Sequence, residues 1–196
     1  MKLKYIDLIE QTFDWPQDEF NLSGSGELEF HGIPLRDLIE RFGTPLRFTY
    51  LPKIGANIRQ AHGWFHDSMR KLNSGGAYHY CYVTKSSPFR HVTEEVLANG
   101  AHLETSSPFD LDIVSALERA GHLNKDATVI CNGFKTQAYI DRITRLRSDG
   151  FSGILPILDN EQEFARLNTV VREPMDVGLT IQDAAGNTFQ ETVSVN

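Results

Sequence analysis

The chain has 196 residues, 40% of them hydrophobic and 23% charged, which is enough to bury a core in the manner of an ordinary water-soluble domain. Its formal net charge of −7 argues against nucleic acid or an anionic membrane as partner, since both call for clustered Lys and Arg to offset phosphate charge. Cys81 and Cys131 lie inside apolar runs without metal-ligand spacing, so free thiols in a reducing cytoplasm are expected, not a disulfide scaffold.

Along Met1 to Glu10, Lys2, Lys4, Asp7 and Glu10 interrupt the apolar residues, so neither a signal-peptide core nor a membrane span is expected there. Ser23-Gly24-Ser25-Gly26 reads as a loop and Glu27 to Phe30 as a short strand. Leu35, Leu38, Ile39 and Phe42 form the stripe of a helix that Gly43 and Pro45 stop. Residues 1–45 are thus an entry segment. Arg47 to Leu51 reads as a further strand, and Ile54 to Leu72 as a long amphipathic helix ended by Gly75-Gly76.

From Tyr78 one plan repeats: a short apolar or β-branched run, a polar turn, then helical periodicity. The runs are Tyr78 to Thr84, Ala101 to Thr105, Thr128 to Cys131, Gly153 to Leu158 and Asp176 to Ile181, starting about every 25 residues, the length of a βα unit. The fold class is α/β. Residues 46–181 predict an incomplete (β/α)8 TIM-type barrel of about five parallel strands, since a complete barrel takes about 250 residues. An open, doubly wound five-stranded sheet is the alternative. Ser87 with Pro88, and Ser107 with Pro108 and Asp110, read as helix starts, and Ser86-Ser87-Pro88-Phe89 recurs as Ser106-Ser107-Pro108-Phe109, two copies of one corner. Gly100 and Gly121 close the two helices. The tail, 182–196, holds an Ala185-Gly186-Asn187 turn and an alternating run from Thr188 to Val195. It reads as a hairpin arm, a frayed end or non-native sequence.

In Tyr78 to Lys85, side chains alternate, placing His79, Cys81, Val83 and Lys85 on one face and the three tyrosines on the other. With the tyrosines under helices, Lys85 points into the barrel at the carboxyl end of the first strand, the end where such barrels hold their active sites. A partly desolvated lysine there can form a Schiff base with an aldehyde, although for an isolated strand-end lysine an ordinary solvated charge is by far the commoner reading. Glu104 ends the second strand at the same level. Ser106 follows it, Asn132, Gly133 and Lys135 follow the third strand, and Asp159 and Asn160 the fourth, each placed for a pocket and each ordinary in a loop. His62 and His66 read as a helix surface, Gly75-Gly76 as a helix stop, and no metal site is expected.

Gly43-Thr44-Pro45-Leu46, Tyr82-Val83-Thr84-Lys85-Ser86-Ser87, His102-Leu103-Glu104-Thr105-Ser106-Ser107, Cys131-Asn132-Gly133-Phe134-Lys135 and Ile157-Leu158-Asp159-Asn160 occur in the order of a known signature. From about Phe30 to Gly178 the chain resembles the fold-type III pyridoxal-phosphate-dependent decarboxylases with an alanine-racemase-like barrel, nearest to bacterial biosynthetic arginine decarboxylases. The resemblance implies pyridoxal 5'-phosphate as cofactor, with Lys85 as the lysine that carries it and Glu104 as the acid beside it. It also implies decarboxylation of a basic amino acid, arginine to agmatine in polyamine synthesis, by a homodimer. Gly178-Leu179-Thr180-Ile181 departs from the family's pattern, which has an arginine where Thr180 stands. The family's glycine-rich phosphate loop, the acid pairing with the pyridine nitrogen and the C-terminal β-domain have no counterpart among these residues. The expectation is therefore the first part of such a lyase, a truncated form of low or no turnover alone. The alternative is a non-catalytic binding or assembly module that retains a partial barrel.

Overall fold

The computed structural model describes residues 19–171, 174–182 and 188–195. The readings made for Met1 to Glu10 and for the Ala185-Gly186-Asn187 turn fall outside them. The chain divides into two units, Met1–Thr49 and Tyr50–Asn196.

In the first unit, strands β1 (Phe20–Leu22), β2 (Leu28–Phe30) and β3 (Ile33–Pro34) form an antiparallel meander that leads straight into helix α1 (Leu35–Phe42). The β1–β2 turn is tied by Ser23, whose Oγ accepts the Glu27 N–H at 3.0 Å while its own N–H donates to the Glu27 carbonyl at 2.8 Å. Phe30 packs edge-on against Phe20 and Phe48, with ring centroids 5.1 and 4.8 Å away. The strand expected over Arg47 to Leu51 does not form. Residues 46–50 have no ladder partner, and Leu51 opens a helix because Pro52, with fixed φ and no N–H to lose, suits a first helical turn.

The second unit begins with that helix, α2 (Leu51–Lys71). Five parallel strands follow, β4 (Cys81–Val83), β5 (His102–Thr105), β6 (Val129–Cys131), β7 (Ile154–Leu158) and β8 (Met175–Gln182). They alternate with helices α3 (Arg90–Ala98), α4 (Pro108–Arg119), α5 (Gln137–Ser148) and α6 (Glu161–Val170). Strand β9 (Thr188–Val195) then pairs antiparallel with β8 along all eight residues, so this part of the tail is a hairpin arm and not a frayed end.

The strands lie in chain order, β4-β5-β6-β7-β8-β9, with β4 and β9 at the two ends. That order rules out the doubly wound alternative, whose sheet must reverse direction at a switch point, and it is the order of the first strands of a βα barrel. No described helix is long and apolar enough to cross a membrane.

The helices cover one face of the sheet. Leu103, Val129, Cys131, Ile154 and Val177 point into it and are buried against Leu111, Val114, Tyr139, Ile140, Ile143 and Leu167. Tyr80 and Tyr82 pack with Ile58, Val92 and Val96 of α2 and α3, which is where the alternation placed the tyrosines. By the parallel register the other face carries Cys81, Val83, His102, Glu104, Ile130 and Leu155, all only half-buried.

The two Ser-Ser-Pro-Phe copies fold differently. Ser107 caps α4, its Oγ accepting the Asp110 N–H at 3.4 Å, and Asp110 Oδ2 reaches back to the Ser106 N–H at 2.9 Å. In the first copy the residue matching Asp110 is Arg90, which has no carboxylate to close the box. Among the described residues Ser87 caps no helix, and α3 starts later, at Arg90, with Phe89 in the cap position and no side-chain cap.

Candidate active site at the carboxyl ends of the strands

The alternation expected to run from His79 to Lys85 stops at Val83, because Thr84–Ser86 form one 3-10 turn. Thr84 is buried there and donates through Oγ1 to the Glu104 carbonyl at 3.1 Å, while Ser86 Oγ donates to the Val83 carbonyl at 2.7 Å. The turn leaves Lys85 exposed at the carboxyl end of β4 instead of directed inward by the pleat. Among the described residues it makes no hydrogen bond or ion pair.

Glu104 is the register neighbour of Val83 on β5 and occupies the uncovered face. Its Oε1 accepts the Asn132 side-chain N–H at 3.1 Å, and Asn132 Oδ1 accepts the Gly133 N–H at 2.8 Å. Cys81 stands on the same face, its thiol pKa raised by burial and then by the negative charge of Glu104. Ser106 is engaged with Asp110, through its N–H and through its hydroxyl at 3.4 Å. Asp159 is exposed beyond β7.

Lys135, expected in a pocket, is fully buried. Its ammonium donates to the carbonyls of Gly133 at 2.6 Å and Ile157 at 2.7 Å and lies 5.3 Å from the centre of the Tyr139 ring. Burial lowers its pKa, and the negative charge of Glu163 opposes that shift. It therefore ties the β6 and β7 corners together and is withdrawn from any reacting position.

Glu163 escaped the sequence reading. Fully buried, it accepts the N–H groups of Lys135 at 2.9 Å and Asp159 at 3.1 Å, while Asn160 caps α6 by accepting the Glu163 N–H at 2.9 Å. The spacing Asn160-x-x-Glu163 was the available signal, the same box as Ser107-x-x-Asp110. Also missed was a histidine pair at the opposite, amino end of the strands. The Thr128 N–H donates to His102 Nδ1 at 3.1 Å, which assigns the ring proton to Nε2, and that N–H donates to His79 Nδ1 at 3.1 Å. Burial, then the neighbouring His79, lowers the pKa of His102.

Among the described residues no group of three or more His, Cys, Asp or Glu is arranged to hold a metal. His62 packs edge-on against Tyr78, ring centroids 5.4 Å apart, and His66 is exposed. The donor set at the carboxyl ends is thus an unengaged primary amine, a carboxylate fixed through one oxygen and a side-chain amide. An aldehyde cofactor with a polar ring suits the amine and the carboxylate. At the corners that open α4, α5 and α6 the third helix amide is taken by the caps Ser107, Thr136 and Asn160, whereas α3, after Lys85, has no side-chain cap.

No family model matches the chain. In sequence it is similar to the biosynthetic arginine decarboxylase of Prochlorococcus marinus (strain MIT 9303), 23% identical over 180 residues, 84% of this chain and 26% of that protein. It is likewise similar to arginine decarboxylase 1 of Oryza sativa subsp. japonica, 30% identical over 137 residues, 67% of this chain and 18% of that protein. The chain therefore spans about a quarter or less of the length of these relatives. In fold it resembles the biosynthetic arginine decarboxylase SpeA from Campylobacter jejuni, with a TM-score of 0.62 and 16% identity over 80% of this chain and 27% of that one. It also resembles the diaminopimelate decarboxylase from M. jannaschi, with a TM-score of 0.65 and 19% identity over 78% of this chain and 32% of that one. These sequence relatives and structural neighbours are all decarboxylases.

Proposed function

We propose that this chain, related in sequence to biosynthetic arginine decarboxylases and sharing a fold with two amino-acid decarboxylases, forms the lysine-bearing part of a pyridoxal-phosphate site that decarboxylates a basic amino acid, arginine foremost. The observation that carries this reading is Lys85, an exposed and unpaired amine at the carboxyl end of the first parallel strand, next to the strand that carries Glu104 in its last turn of the pleat. Pyridoxal phosphate, when bound, supplies the carbonyl that condenses with amines and the electron sink for the bond broken on loss of CO2.

The chain's own residues supply attachment and orientation. Lys85 is the amine that would carry the cofactor, and the buried Thr84 fixes the turn presenting it. Glu104 offers its second carboxylate oxygen to an amine at the same end, and Asn132 holds the first. Ser106, after β5, and Asp159, after β7, add further polar groups at that end. Titration with pyridoxal phosphate, followed by visible absorbance, tests the assignment: a band that Lys85→Ala abolishes is expected, and a band of equal strength in that variant refutes the role of Lys85.

A second reading, a non-catalytic assembly module, is favoured by β9. This eight-residue strand ends the sheet and carries one charged residue, Glu191, and neither Lys nor Pro in Thr188 to Val195, so it is only lightly guarded against pairing with another chain. Concentration-dependent self-association in size-exclusion chromatography, together with no Lys85-dependent band, is the outcome that selects it.

A further inference from the structure

Glu104 and Ile130 are register partners on β5 and β6, and Asn132 follows β6 one step nearer the carboxyl end, its N–H donating to the Thr105 carbonyl at 2.8 Å. The bond from Asn132 Nδ2 to Glu104 Oε1, 3.1 Å long, therefore draws the carboxylate along the strand toward the end where Lys85 sits. Asn132 cannot present the other half of its amide. Its Oδ1 already accepts the Gly133 N–H at 2.8 Å, so the NH2 group is the one that faces Glu104.

Gly133 is itself held. Its φ of 77° lies in the left-handed region, and a Cβ added to it would stand 3.0 Å from the Ser106 carbonyl oxygen. Ser106 in turn is bound to Asp110 at the start of α4. Gly133 thus lies close beside the β5–α4 corner, and two hydrogen bonds lead from its N–H through Asn132 to a single oxygen of Glu104. The other oxygen makes no hydrogen bond among the described residues.

We infer that Asn132 is a positioning residue of this site: by holding Oε1 of Glu104 it presents Oε2 to the amine chemistry at the strand ends. The inference rests on the roles proposed above for Lys85 and Glu104. It differs from a packing role in a measurable way, because Asn132 then acts only through Glu104.

Two measurements test it. In the cofactor-free protein, the side-chain NH2 resonances of Asn132 in 1H–15N spectra should shift in Glu104→Gln. With pyridoxal phosphate, Asn132→Ala should weaken binding about tenfold, the loss of one hydrogen bond to a charged group. Asn132→Asp, nearly the same shape without the donor, should lose at least as much, and Asn132→Ala added to Glu104→Gln should cost nothing further. Additive losses, or affinity within about twofold of wild type in Asn132→Ala, overturn the positioning role. If wild type shows no Lys85-dependent binding, the functional reading falls, and the spectra alone decide: Asn132 resonances indifferent to Glu104→Gln overturn the inference, and coupled ones uphold the contact.

Discussion

At the scale of single residues, two basic groups, the buried Lys135 and the half-buried His102, set clear expectations. Lys135 serves two backbone carbonyls with one ammonium, so Lys135→Met leaves both acceptors unsatisfied in the interior. A loss of about 2–4 kcal/mol in urea unfolding is expected. His102 must keep Nδ1 unprotonated to accept from Thr128, and protonation breaks that bond. His79 and His62 lower its pKa along with burial, and Asp126 acts the other way. Because the folded pKa lies below the ordinary 6.5, the unfolded chain takes up the proton first on acidification. Stability is therefore fully present above about pH 6.5 and falls as the pH drops below it, levelling off under the folded pKa. Denaturation midpoints at pH 7.5 and 5.5 measure this, and His102→Gln should reduce the difference.

At the scale of elements, the corners between strands and helices decide what the sequence could disclose. Strand positions and helix periodicity from Tyr78 to Leu158 were legible because apolar alternation and helical stripes are local patterns. The repeat Ser-Ser-Pro-Phe was misleading because the fourth residue after each first serine differs, Arg90 in one copy and Asp110 in the other, and only the acid completes a capping box. Lys135 resembled a loop lysine because nothing local announces that Gly133, Ile157 and Tyr139 converge on it, two of them distant in sequence or on another element. Ser107→Ala should cost about 1 kcal/mol, the usual worth of a helix cap, and Ser87→Ala far less. Equal losses in the two variants, measured by urea unfolding, would contradict the difference between the corners. At Gly133 a methyl group meets both the left-handed backbone and the Ser106 carbonyl. Gly133→Ala should therefore destabilise by about 1–3 kcal/mol and weaken the hold of Asn132 on Glu104.

At the scale of the whole molecule, six strands in chain order place Lys85, Glu104, Asn132 and Asp159 at one end of the sheet, on four successive strand ends. That placement follows from βα units laid side by side, and sequence spacing alone disclosed it. The orientation of Lys85 was not legible, since the 3-10 turn after Val83 breaks the pleat on which the reading relied. On the face that the helices leave uncovered, Val83, Ile130 and Leu155 are half-buried around the polar pair. The chain also spans about a quarter or less of its relatives' length. On its own it is therefore expected to bind pyridoxal phosphate weakly and to release CO2 from arginine at well below an enzymatic rate, which a CO2-release assay on the purified chain measures.

The most direct measurement is to treat the protein with pyridoxal phosphate, reduce it with borohydride and map the modified peptides by mass spectrometry. The account predicts the stable adduct on Lys85, ahead of the exposed Lys53, Lys71 and Lys125 and with the buried Lys135 unmodified. An adduct spread evenly over the exposed lysines, or placed on another lysine, would contradict it.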